Sequence, residues 1–321
     1  LLRISLISSL ASFIDLLFIL GGIFFIFIKN YNNLNMKNIY KNSLQNLNKA
    51  KKILNKNDII AVPTETVYGL AGNAYSNVSI KKIYKLKKRP KKNPLIIHYY
   101  NLNLLAQDAE TNDDFYKLYK AFSPGPITYV LNKKKGSKIS KLATGNLKTI
   151  AVRIPKNKVI RKILKKLEFP LAIPSANKST KVSPVSAEDI LSEFGKSLKM
   201  ILSGKRSNIG IESTVVDLTT KIKILRPGVI NQQDISKILK KRVGNINYKS
   251  KIKAPGMLKK HYSPGIPIKL NQKYAKNNQA FIVFGKKYKN GKNIFNLSKK
   301  SNLREAARNL YKTLRIIKQK N

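Results

Sequence analysis

The chain has no cysteine among its 321 residues, which excludes disulfides, thiolate metal sites and a cysteine nucleophile. Histidine is almost missing too. Only His98 and His261 are present, which argues against a multi-histidine metal centre. Acids are scarce: 15 Asp plus Glu face 64 Lys plus Arg, for a formal charge of +49. Such a balance points toward a nucleic acid or a membrane surface. The lysines, however, run along nearly the whole chain beside Asn, Ile, Tyr and Phe, residues with AT-rich codons, so genomic base composition accounts for much of the excess. The surface would attract polyanions in either case. What is plentiful is core material, since 42% of the residues are hydrophobic, enough for an enzyme-sized protein of one or two domains.

Residues 4–28 hold one ionisable side chain, Asp15, in a run long enough to span a bilayer. Lys29, Lys37 and Lys41 follow it, which as a transmembrane segment would keep the remainder cytoplasmic. A second reading has equal standing. The chain opens at Leu1, and Met36 stands just before a soluble-looking helix, so residues 1–35 read equally well as translated upstream sequence. A leader peptide is a third reading, with an apolar run long for that purpose.

From Met36 the pattern is orderly. Leu47, Ala50 and Leu54 recur at helical spacing, and Ile59 to Val62 reads as a buried strand. Further strand-like runs are 94–99, 127–131, 149–154, 171–173, 200–202, 213–218 and 222–225. Helical patterns cover 79–88, 113–121, 157–167, 186–194 and 232–241; beyond Pro264, 266–270 and 280–284 read as strands, and Leu303, Ala307, Leu310, Leu314 and Ile317 mark an amphipathic helix. The alternation is irregular, which predicts an α/β fold built on a mixed sheet with flanking helices.

Each of several apolar runs ends in small polar or cationic residues. Thr64, Glu65 and Thr66 follow a strand and Pro63, either as ligand-binding groups at a sheet edge or as a capped turn. Lys87 and Arg89 precede two prolines and could clamp phosphates or belong to a solvated charge run. The turn from Ser123 to Thr128 specifies no chemistry by itself. Arg153 interrupts an apolar strand, and a buried guanidinium needs an anion; the scarcity of acids favours a ligand carboxylate over a structural one. Ser175, Ala176 and Asn177, with Ser179, Thr180 and Ser183 beyond, could form a phosphate-binding loop without Walker glycines. Ser213, Thr214 and Arg226 complete the set.

In order and spacing these motifs resemble the threonylcarbamoyl-AMP synthases of the YrdC-like family, in their longer two-domain form. The resemblance rests on PTETVYGLA (63–71), KKRPKKNPLIIH (87–98), SPGPITYVL (123–131), TIAVRIP (149–155), IPSANKS (173–179), GIESTVVDLT (210–219), LRPG (225–228) and APGMLKKHYSP (254–264), and it covers roughly 36–321. It implies a YrdC-like twisted mixed sheet over 36–240, an interdomain linker that lids the active site over 241–264, and a small Rossmann-like α/β domain over 265–321. That last domain normally continues with a further strand and helix, so a shortened version is expected here.

The implied reaction joins L-threonine, bicarbonate and ATP into L-threonylcarbamoyl-AMP, releasing pyrophosphate and water. It is the nucleotidyltransferase step that opens tRNA threonylcarbamoyladenosine formation and hands its product to a downstream tRNA threonylcarbamoyl-transfer machinery. By motif, Thr66, His98, Arg153, Ile173 and Ser213 would bind threonine. Arg89, Asn93, Thr149, Ser175, Ser183, Arg226 and Tyr262 would bind ATP. Lys87, Arg89 and Arg226 would offset the charge that develops in the transition state. Mg²⁺ is expected to arrive with the nucleotide, with no protein metal site. The resemblance also implies a cytoplasmic enzyme, membrane-bound only if residues 4–28 form an anchor.

Two other classes stay open at this stage. A YrdC-like module binding double-stranded RNA without catalysis would suit the charge, yet would not need IPSANKS, ESTVVD and HYSP together. A carbamoyl-transfer domain of the hydrogenase-maturation type shares the core, but would bring cysteine-rich zinc fingers.

Overall fold

The computed structural model describes residues 38–244, 262–276, 278–288 and 291–320. The apolar run 4–28 and most of the segment 241–264 therefore lie outside the described residues. Among the described residues no helix is long and apolar enough to cross a membrane.

The centre is a large twisted mixed sheet. From one side its strands run Ile201–Leu202, Ile60–Val62, Gly69–Asn73, Leu171–Ala172, Ile96–His98, Thr149–Arg153, Ile127–Lys133, Thr214–Asp217 and Lys223–Arg226. Ile96–His98 lies parallel to Thr149–Arg153, and Thr214–Asp217 parallel to Ile127–Lys133, while Thr149–Arg153 and Ile127–Lys133 are antiparallel. The inner strands are buried on both faces, which is why they read as continuous apolar runs.

The strand Gly69–Asn73 has no counterpart in the sequence reading. The structure shows why glycine is needed there. A Cβ on Gly69 would stand 2.3 Å from Ile173 Cγ2 and 2.9 Å from the Pro174 carbonyl oxygen, so the two backbones can approach only without a side chain.

Helices begin where the sequence offers a cap. Ser43, Ser76, Asn157 and Ser186 each accept a hydrogen bond from the first turn of the helix that follows, satisfying otherwise orphaned amides. Helices Leu44–Asn55 and Lys158–Lys165 bury Leu47, Ala50 and Leu54 with Ile160, Ile163 and Leu164 in one apolar cluster against the sheet. Helix Asn77–Lys87 ends as Lys88 turns left-handed at φ 49°. Pro90 then forbids continuation, so Lys87 lies in the last turn and Arg89 just beyond it.

Beyond Tyr262, Phe281–Val283 and Ile294–Asn296 pair in parallel, and Leu303–Lys320 form one long helix. The alternating run 266–270, expected as a strand, is not one. Pro267 removes a donor, and Ile268 and Leu270 are exposed with no strand paired to them among the described residues. The long helix buries the expected Leu314 and Ile317, joined by Ala306 and Tyr311, while Ala307 and Leu310 are half-buried and Leu303 is 76% exposed. By contacts, Tyr40–Asn321 form one compact unit.

Candidate active site

The cleft lies beyond the ends of strands Ile96–His98 and Thr149–Arg153. It encloses about 660 Å³ of non-protein space, its open mouth included. Of the sequence-predicted residues, Thr66, His98, Arg153, Ile173 and Ser213 all line it. So do Lys87, Arg89, Ser175, Ser183, Arg226 and Tyr262.

Two do not. Asn93 is buried behind Arg89, whose Nη2 donates to its Oδ1 at 2.6 Å. Its own Nδ2 is buried without a hydrogen-bond partner. Thr149 opens the strand that Arg153 ends and faces the same side of it, but stands outside the lining. Four residues of strand put the two about 13 Å apart.

Arg153 is buried, with His98 opposite it in the parallel register. Its partner is Glu65, which corrects the expectation of a ligand anion alone. Arg153 Nη2 donates to Glu65 Oε1 at 2.6 Å, Nη1 to Thr66 Oγ1 at 3.0 Å and Nε to the Gly125 carbonyl at 3.2 Å. Glu65 Oε2 accepts from the Asn157 amide. Burial works against the Glu65 charge, but Arg153 outweighs it and holds the carboxyl below its usual value. Burial, helped by Arg153, keeps His98 well below the usual imidazole range, and hence neutral. Its Nδ1 lies 3.2 Å from the Ile96 carbonyl, an oxygen that can only accept. That fixes the proton on Nδ1 and leaves Nε2 as an acceptor.

At the other end, Lys87 is fully buried, and its Nζ donates to the carbonyls of Ser175 and Asn177 at 2.5 Å each. Burial pulls its pKa well down, with Arg89 adding to the effect. Arg89 is half-buried as a whole, and burial of its guanidinium, with Arg226 adding to the effect, lowers its pKa to about 10. Arg226 is buried and gives Nε to the Ser213 carbonyl and Nη2 to Ser213 Oγ. Among the described residues none of these three cations forms an ion pair with a carboxylate. Such a cluster is arranged for an anionic visitor.

Sequence reasoning missed three residues here. Glu65 lay inside a noted motif but was not paired with Arg153, 88 positions away. Glu212 lines the cleft, and its presence in GIESTVVDLT was the available signal. Tyr311 reaches Glu212 from the C-terminal helix at 2.5 Å, and no local pattern marks it.

Comparison with known proteins adds to this geometry. The family described as telomere recombination matches residues 52–228, and the threonylcarbamoyl-AMP synthase C-terminal domain matches 230–321. A threonylcarbamoyl-AMP synthase of Pyrococcus abyssi is 35% identical over 289 residues, 83% of each chain. The chain belongs to the threonylcarbamoyl-AMP synthase family. Another synthase of this name, from Bacillus subtilis, is 35% identical over 224 residues, 68% of this chain and 64% of its own. The solved structure of P. abyssi Sua5 complexed with L-threonine superposes with a TM-score of 0.76 at 30% identity, covering 88% of both chains. For a member of this synthase family, the catalytic reading displaces the RNA-binding alternative.

Proposed function

We propose that this protein condenses L-threonine, bicarbonate and ATP into L-threonylcarbamoyl-AMP, with release of pyrophosphate and water. The observation that carries the reading is one cleft lined both by the buried Arg153 beside a neutral His98 and by the cations Lys87, Arg89 and Arg226.

At the first end, Arg153 has one hydrogen on each terminal nitrogen uncommitted after its bonds to Glu65 and Thr66. Those two fit the oxygens of an amino acid carboxylate side by side. His98 Nε2 would accept the threonine hydroxyl proton, and Ile173 would pack on its methyl group. The amine then takes up bicarbonate with loss of water, giving an N-carboxylate. That carboxylate attacks the α-phosphate of ATP in line and expels pyrophosphate.

No side-chain nucleophile is required. The protein holds the reactants in attack geometry and presents fixed positive charge to the phosphates. Lys87, with two backbone carbonyls fixing its ammonium, and the half-exposed Arg89 would meet the leaving phosphates. Arg226 would meet the α-phosphate beside Ser213. Ser175, Ser183 and Tyr262 would complete the nucleotide site. Asn93 would act from behind Arg89, holding its guanidinium through Oδ1. Thr149 would lie under the far end of an extended nucleotide.

Mg²⁺ bound with ATP would offset phosphate charge. Among the described residues no group of three His, Asp or Glu could hold a metal, and Glu65 and Glu212 are already occupied by donors. The residues present thus suit an ion carried on phosphate and water.

We assign catalysis to residues 36–240, the lid to 241–264 and a supporting domain to 265–321. The product would pass to a cytoplasmic tRNA-modifying machinery. The test is pyrophosphate release with ATP and Mg²⁺, threonine and bicarbonate each present or omitted, and serine as control. Release that needs both co-substrates supports the reading, and release independent of either one refutes it.

A further inference from the structure

Several contacts bind the C-terminal helix Leu303–Lys320 to loops that form the cleft. Tyr311 Oη donates to Glu212 Oε2 at 2.5 Å. The Tyr311 ring stacks on Tyr262, centroids 5.6 Å apart and planes inclined by 28°. Arg315 Nη2 donates to the Val182 carbonyl at 2.6 Å, and Arg206 donates to the Arg308 carbonyl. Apolar packing joins them, with Tyr311 and Leu314 against Val67, Val182 and Val185.

The approach is closer than side chains normally permit. A Cβ on Gly210 would stand 2.6 Å from Arg308 Cα, and Gly210 has φ +79°. The glycine at this point lets the helix backbone lie against the loop that carries Glu212 and Ser213.

Glu212 is the centre of the arrangement. It lines the cleft while 8% exposed, and it has two hydroxyl donors: Ser183 Oγ on Oε1 and Tyr311 Oη on Oε2. A buried carboxylate depends on such donors, and losing one leaves an acceptor desolvated. Tyr311 is itself absent from the lining. It touches Glu212 and Tyr262, both of which line the cleft, from the far side.

We propose that Tyr311 is a positioning residue of the nucleotide site: its hydroxyl anchors Glu212, which holds Ser183, and its ring seats Tyr262. The C-terminal helix thereby completes the ATP end of the cleft without contacting ATP. The inference rests on the synthase reading for the identity of the nucleotide, not for the contact.

The test uses the full chain and three variants, Tyr311→Phe, Glu212→Gln and the double variant. ATP affinity is measured by titration with no co-substrate, KM values by pyrophosphate release, and folding by thermal unfolding. Phenylalanine keeps the ring on Tyr262 and removes only the hydroxyl. The expected result is an ATP Kd and KM raised about tenfold, as for one hydrogen bond to a charged group, with the threonine KM nearly unchanged and the melting curve close to wild type. The double variant should be no weaker than the worse single one, because both break the same link. Wild-type ATP affinity in Tyr311→Phe, or equal rises in both KM values, would overturn the proposal.

The two readings fail separately. A wild type that binds ATP but releases no pyrophosphate refutes the synthase function, while weaker ATP binding by Tyr311→Phe still supports the positioning role. A wild type that binds no ATP refutes both.

Discussion

Glu65 and Arg153 lie 88 positions apart and meet at 2.6 Å below the cleft. The carboxylate is fixed on its other oxygen by the Asn157 amide, so it both neutralises the guanidinium and aims it. In the proposed role Arg153 would therefore be held ready for a second carboxylate before any substrate arrives, which would lower the reorganisation that binding requires.

Replacing Arg153 should separate the substrates. Arg153→Ala is expected to raise the threonine KM roughly 10- to 100-fold, the loss of charge-assisted hydrogen bonds, and the ATP KM far less. Initial rates of pyrophosphate release with each substrate varied in turn decide this. Equal loss for both would remove the assigned role.

The same pair sets an acid limit on stability. The Glu65 carboxyl is held below its ordinary value of 4.5, so its ionised form favours the folded chain. That contribution is complete above about pH 4.5 and declines as the pH falls through the lowered folded-state value. Melting temperatures of wild type and Glu65→Gln should differ most near neutrality and converge in acid. A gap that widens below pH 4 would contradict the assignment.

Lys87 opposes stability and activity to each other. It is a fully buried ammonium with no carboxylate in contact, so Lys87→Met should leave the melting temperature unchanged or raise it. Pyrophosphate release should fall by roughly a hundredfold or more, the scale for removing one preorganised charge-stabilising donor. A variant that is destabilised yet active would make Lys87 a structural residue.

Gly69 links the hidden strand to the threonine end. In Gly69→Ala the new methyl would collide with Ile173, at a cost of about 1–3 kcal/mol for overpacking. Because Ile173 lines the cleft, threonine affinity should drop together with the melting temperature. Isothermal titration with threonine, run beside thermal unfolding, tests both halves of the statement.

Most of the site was legible because its residues sit where apolar strands stop, and that pattern is local. Lys87 and Arg89 follow from a helix stopped by Pro90, and Arg153 from a charge inside a strand. What escaped was non-local. The Gly69–Asn73 strand has glycine where strands usually have bulk, for a reason that lies in Ile173, over a hundred positions on. Glu65 reads as part of a turn until the fold brings Arg153 beside it. Tyr311 is simply one tyrosine on an amphipathic helix, and only the packing of that helix, turned away from Leu303, directs it to Glu212. The 266–270 alternation failed for the opposite reason: it has the period of a strand but no neighbour to pair with.

Among the described residues, Lys87, Arg89 and Arg226 share one cleft with no carboxylate in ion-pair contact with any of them, so their like charges repel inside the fold. Any polyphosphate that settles there relieves that repulsion only in the folded chain. A nucleotide at a hundred times its Kd would add about 2.7 kcal/mol of stability, a large share of the margin by which most domains stay folded. On the proposed function ATP would then be a structural counter-ion as well as a reactant, and a protein short of nucleotide would lose resistance to heat and proteolysis along with its turnover.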